Sequence, residues 1–492
     1  MADTKEEGLT VFGAGWKGCV GKHFDVKRLV CLVGVLIAIG GLCPGCGNYV
    51  EETMSASTES TMAKPAGKPA DENNRRKERP ESVSENSVSE NNGVKAVGEQ
   101  AEATGKDENE PAGEQRPKPV KVKGIYVSGP VAGIARMDEL IDLVDRTELN
   151  AMVIDVKNDE GKVTYRMRSD QVQELEAGVG YIQDIGELVQ KCKEKNIYLI
   201  ARIVAFRDPY LAEQKPEWAV HSRSGEIFRD KNGMAWVNPY QRKVWEYLAE
   251  VASCAAADGF DEVQFDYIRF STDIREEEVD YGPEAEKTGK VEIITEFTKY
   301  LYEKLSPCGV YVAADVFGTV IDNETDQKIV GQDYVKMAEN LDYICPMVYP
   351  SHYYSGAYGI AVPDADPYAT IYAAASASAR QLETVPEEER ASVRLWLQSF
   401  TASWVPNHIG YGPAQIREQI KGAYDAGYEE WILWNAAVNY RPDSLLTPEE
   451  AEAERQRWDA GEADESQAEK SVSENSVQTS AGTEESVEPE NG

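Results

Sequence analysis

Eight times between Lys121 and Asn435 a short apolar run ends in polar or aromatic residues, and a helical stretch follows most of them. The runs are Gly124 to Ser128, Ala151 to Lys157, Ile197 to Ala205, Glu262 to Phe270, Val310 to Phe317, Tyr343 to Tyr349, Arg394 to Phe400 and Trp431 to Asn435. Strands that alternate with helices pair in parallel through right-handed crossovers. Eight such units in about 320 residues suit a closed barrel, so the predicted fold is α/β, a single (β/α)8 TIM barrel with disordered N- and C-terminal tails. In that architecture chemistry gathers at the C-terminal ends of the strands, and those ends are where the polar residues fall.

The net charge of −35 is unevenly spread. From about Glu51 to Gln115, and again from about Gly461 to Gly492, the chain is rich in Glu, Ser, Asn, Thr, Ala, Gly and Pro and nearly free of aromatics. Such stretches cannot bury enough apolar surface to offset the entropy of ordering, which predicts disorder. A low-complexity phrase from Ser82 to Asn92 recurs in part from Ser471 to Val477. The acidity argues against nucleic acid as a partner, since phosphate binding needs a concentrated basic face.

Near the N-terminus, Leu29 to Leu42 is apolar or small, preceded by Lys22, Lys27 and Arg28 and followed by Glu51 and Glu52. That charge order predicts export of everything after it, as a membrane-anchored, cell-surface or secreted protein. Cys46, just past the run, is a candidate lipid-attachment residue; the alternatives are a cleaved signal peptide and an uncleaved anchor. The expected division is a cytoplasmic segment (1–28), a signal or anchor (29–46), an acidic linker (47–119), the barrel (120–445) and a helical, then disordered acidic tail (446–492). Of the eight cysteines, none forms a CxxC pair in the globular part, and with only four histidines neither a metal site nor a cofactor is expected.

Strand by strand, the rim candidates are these. In the second run Val153, Asp155 and Lys157 alternate onto one side, so Asp155 and Lys157 are expected to pair near the mouth or to bond substrate. Arg202 in the third run is a cation inside a barrel and needs a carboxylate, with Asp155 or Asp266 available. Asp208, before Pro209, reads as turn initiator or substrate ligand. The fourth run places Gln264 and Asp266 on one face, with Arg269 beyond; the fifth ends at Asp315 above two alanines. An Asp capping an apolar barrel strand is costly unless used or paired. Tyr349, His352, Trp396 and Trp434, with Trp236, offer faces for a sugar ring, and Gln398 and Asn435 offer amides for hydroxyls. Asp266 and Asp315 on adjacent strands are the expected catalytic pair: glycoside hydrolysis needs one carboxyl to protonate the leaving oxygen and another to attack or activate water.

The phrases VIDVKNDEG at Val153, IARIVAFRD at Ile200, FDYIRFS at Phe265, ADVFG at Ala314, PMVYPSHY at Pro346, LWLQSF at Leu395 and WILWNA at Trp431 resemble, in order, the blocks of a glycosyl hydrolase domain family of bacterial exported proteins. That family is distantly similar to the alpha-amylase superfamily. The resemblance implies Asp266 at the nucleophile position and Asp315 at the acid position. It departs from the amylase pattern in two places: the acid there is normally Glu, and an Arg stands two before the nucleophile where this chain has Gln264. The expected function is hydrolysis of a cell-surface or extracellular polysaccharide, and the alternative is a non-catalytic glycan-binding barrel.

Overall fold

The computed structural model describes residues 116–461. The expected anchor, nearly all of the linker and the end of the acidic tail lie outside the described residues. Among the described residues no helix is long and apolar enough to cross a membrane.

The eight runs form eight strands: β1 (Lys123–Val127), β2 (Ala151–Lys157), β3 (Tyr198–Val204), β4 (Glu262–Asp266), β5 (Tyr311–Phe317), β6 (Tyr343–Met347), β7 (Leu395–Gln398) and β8 (Trp431–Trp434). Each pairs in parallel with the next, and β1 pairs with both β2 and β8, so these eight strands close into a barrel. Every residue of β2 and β3 is buried. That follows from the position of the strands, with the barrel interior on one face and helices on the other. The seam is latched by Tyr440: its hydroxyl accepts from the Tyr126 backbone N–H at 3.1 Å and lies 2.8 Å from the Tyr126 carbonyl and 3.2 Å from that of Leu433.

The outer helices face the sheet with apolar stripes at helical spacing. Arg242–Ala257 buries Val244, Trp245, Leu248, Val251, Ala252 and Ala255, and Lys290–Leu305 buries Ile293, Ile294, Phe297, Leu301 and Leu305. The two stripes meet where Trp245 packs 5.3 Å from Phe297. A further helix, Pro448–Asp459, follows the barrel and starts at a capping box of Thr447 and Glu450.

Two features decide which polar side chains reach the upper rim. The first is a β-bulge in β2: Asp155 is in register with Arg202, but Lys157 is in register with Ile203, so two residues of β2 span one of β3. Strict alternation therefore fails, and Lys157 leaves the face that carries Asp155. The second is a separate ion pair at the lower end, where Arg394 meets Glu262 at 2.7 Å and Glu430 at 3.0 Å, and Tyr198 donates to Glu262 at 3.1 Å. These groups pair with one another far from the strands' C-terminal ends.

Candidate active site

At the upper end Arg202 stands among three carboxylates. Its guanidinium donates to Asp155 at 2.7 Å, to Asp266 at 2.7 and 3.1 Å, and to Asp159 at 3.2 Å. The cation foreseen inside the barrel thus takes both flanking carboxylates and a third from the loop after β2. Asp159 was not singled out from the sequence. It lies two residues past the strand, inside the phrase VIDVKNDEG, and its side chain is 29% exposed where those of Asp155 and Asp266 are 3% and 6%.

Asp266 has both oxygens engaged: Oδ2 by Arg202, and Oδ1 by the backbone N–H of Tyr267 at 2.6 Å. Tyr267 holds φ at 55°, a left-handed value that an aromatic residue adopts at a cost. The turn it makes brings its own N–H onto the preceding carboxylate. Arg202 is in register with Gln264, two residues before Asp266. Arg202 therefore presents its guanidinium from β3 at the level of Gln264.

Asp315 is buried and receives two donors on a single oxygen, Gln264 Nε2 at 2.6 Å and Trp396 Nε1 at 2.6 Å, both to Oδ1. Burial first, and then the charge of Asp266, push its carboxyl well above the ordinary carboxylate range, against the two donors and Arg202. Asp155 accepts from the Tyr126 hydroxyl at 2.6 Å. Burial and the neighbouring Asp159 raise it to about 6 against the pull of Arg202. Asp159 moves the other way: Arg202 and Arg207 outweigh burial and hold it low. Burial thus raises Asp315 and Asp155, while the two guanidinium groups lower Asp159.

Aromatic residues flank this cluster. Trp434 lies 4.2 Å from the Tyr126 ring and edge-on to Trp396 at 5.6 Å, and Arg202 sits over both Tyr126 and Trp434. Tyr349 meets His352 at 5.2 Å and Phe400 at 5.9 Å. Arg269 stacks over Phe317 at 4.3 Å and Tyr267 at 5.0 Å, bracing the β4 end.

Several expectations need correction. Lys157 does not pair with Asp155 or line the mouth: turned by the bulge, it is wholly buried, bonded to Asp208 at 2.7 Å and to the Val204 carbonyl at 2.6 Å. Asp208, equally buried, caps the helix Pro209–Gln214 through the Leu211 N–H, so the turn role prevails over substrate contact. Gln398 is fully buried and uses its amide to tie the Ser351 N–H to Asp364 and the Phe400 carbonyl, so it braces the loops and does not face the mouth. Asn435 likewise braces the loop after β8 through Ser399, Ala437 and Asn439. Trp396 and Trp236 are buried and bonded through their indole N–H groups, Trp396 to Asp315 and Trp236 to Asp230 at 3.0 Å; neither presents a face as a sugar platform. Tyr126 and Asp159 are site residues that the sequence did not single out, and Gln264, placed on the face of Asp266, was given no partner. For Tyr126 the only signal was its place in the first run.

Comparison with known proteins returns matches among solved structures. A hypothetical protein from Ruminiclostridium thermocellum ATCC 27405 is 38% identical, with a match covering 39% of this chain and 97% of that one at a TM-score of 0.36. The PgaB (BpsB) glycoside hydrolase domain from Bordetella bronchiseptica is 14% identical over 66% of this chain and 97% of its own, with a TM-score of 0.48. The catalytic domain of a beta-amylase from Paenibacillus polymyxa is 11% identical over 67% and 96%, with a TM-score of 0.41. No curated protein matches. Residues 124–440, the whole of the closed barrel with its rim, match the family described as "Putative glycosyl hydrolase domain", and the chain belongs to that glycoside hydrolase family.

Proposed function

We propose that this protein is an exported glycoside hydrolase that cleaves a polysaccharide at or beyond the cell surface, with Asp315 as general acid and Asp266 as the ionised partner, either nucleophile or charge stabiliser. The observation that carries this reading is the division of labour between the two carboxyl groups. Asp315 is driven toward its protonated form by burial and by Asp266, while both oxygens of Asp266 are held, one by the Arg202 guanidinium and one by the Tyr267 N–H. Proton donation to the leaving oxygen needs the first, and a developing oxocarbenium ion needs the second. The apolar run at Leu29 to Leu42, with its preceding cations, supports export.

The test is a screen of the full-length protein against bacterial and plant polysaccharides, with Asp266→Asn and Asp315→Asn as paired controls. Each substitution should lower turnover by at least about a hundredfold while leaving the fold and glycan binding in place. Full turnover in both variants would move the acid role to Asp155. Glycan binding with no turnover on any substrate would favour the non-catalytic barrel. For export, protease added to intact cells should trim the barrel, and Cys46→Ser should release the protein only if a lipid holds it.

A further inference from the structure

We propose that Gln264 and Trp396 are positioning residues that confine the labile proton of Asp315 to Oδ2, and so fix which oxygen of the acid serves the leaving group; this rests on the acid role proposed above. A carboxyl oxygen offers two in-plane lone pairs, and here both of those on Oδ1 are taken, by Gln264 Nε2 and Trp396 Nε1 at 2.6 Å each. A proton on Oδ1 would confront two N–H hydrogens. Oδ2 has no hydrogen bond among the described residues. An indole N–H only donates, so Trp396 cannot turn to accept from a protonated Oδ1.

Two details show that the arrangement is centred on the carboxyl. Gln264 Oε1 is buried without a partner among the described residues. A buried acceptor left unpaired is costly, and the one side-chain hydrogen bond of Gln264 among the described residues is its N–H to Asp315. Trp396 reaches Asp315 from β7 past the intervening β6, where the residue in register with Asp315 is the small Cys345. Both donors favour the ionised acid, and they temper the upward push of burial and Asp266.

Infrared titration of the full-length protein carrying 13C-labelled aspartate reads this without any substrate, with Asp315→Asn assigning the band. Gln264→Met and Trp396→Phe should each raise the Asp315 pKa by about one unit or more, as loss of a hydrogen bond to a charged group does. Trp434→Phe, which changes the ring packed edge-on against Trp396 but removes no donor from Asp315, should leave it in place. No shift in folded Gln264→Met and Trp396→Phe, or an equal shift in all three variants, overturns the proposal. Where a variant does not fold, the wild-type band decides: a carbonyl accepting two N–H bonds absorbs well below a free one, and a free-carbonyl position for protonated Asp315 is the overturning result. On a turned-over substrate the two donor variants should lose kcat with KM little changed. Unchanged turnover in Asp315→Asn, with the band shifts intact, would remove the acid role and leave the proton placement standing.

Discussion

Arg202→Met is the perturbation that most directly probes how the rim is built. The guanidinium is fully buried and touches Asp155 and Asp266, whose side chains are 3% and 6% exposed, and the more open Asp159. Removing one partner of a buried ionic group leaves the others uncompensated, at about 3–5 kcal/mol. The pH dependence separates this from simple loss of packing. Burial already raises Asp155 to about 6 against Arg202, and Arg202 helps hold Asp159 low. Without the cation both carboxyl groups bind protons more tightly in the folded state. A folded pKa above the unfolded one makes the folded state the better proton binder, so stability falls as pH rises from the unfolded value through the raised folded one. The deficit of Arg202→Met should therefore be larger at pH 7.5 than at pH 5. It should shrink toward pH 5, by up to about 1.4 kcal/mol per carboxylate for each pH unit across that window. Urea unfolding followed by tryptophan fluorescence measures both points. A deficit under about 1 kcal/mol at pH 7.5, or one of equal size at both pH values, would refute the claim that one guanidinium neutralises this cluster.

Four further outcomes follow from the same structure. Asp208→Asn should lower stability, because it weakens the buried pair with Lys157, while leaving KM for any confirmed substrate within about twofold; a large rise in KM would restore Asp208 to the binding surface. Gly161→Ala should cost about 2 kcal/mol or more in urea unfolding, since φ is +79° there and an added Cβ would fall 1.9 Å from Asp208 Oδ1. Tyr440→Phe removes the hydroxyl that serves the backbone on both sides of the barrel seam and should cost about 1–3 kcal/mol without shifting the pH–rate profile. That profile should decline on its alkaline side as pH rises through the raised pKa of Asp315, because the protonated form is the active one; a decline that persists unchanged in Asp315→Glu would point to a different acid.

How much of this was legible in the chain depends on the distance over which each signal acts. The eight apolar runs determined the barrel, because strands buried on both faces are mostly apolar, and segments such as Ala151–Lys157 and Tyr198–Val204 carry that pattern, broken only by Asp155, Lys157 and Arg202. The carboxylates at strand ends and the need of Arg202 for a counter-charge were equally readable, since both follow from the cost of charge in an apolar setting. Sequence alone did not carry the partner choices. A single bulge after Asp155 turned Lys157 away from the site toward Asp208, and alternation cannot foresee an inserted residue. Trp396 reads in the chain as one more aromatic at a strand end. Only the closed barrel brings its N–H to Asp315, 81 positions away in sequence, and turns an apparent sugar platform into a hydrogen-bond donor. Gln264, which looks like a missing arginine, becomes intelligible once β3 supplies Arg202 at its level. Local pattern set the strands and their polar ends; the closure of the sheet, which brings together side chains that no local spacing relates, decided which of them share protons and charge.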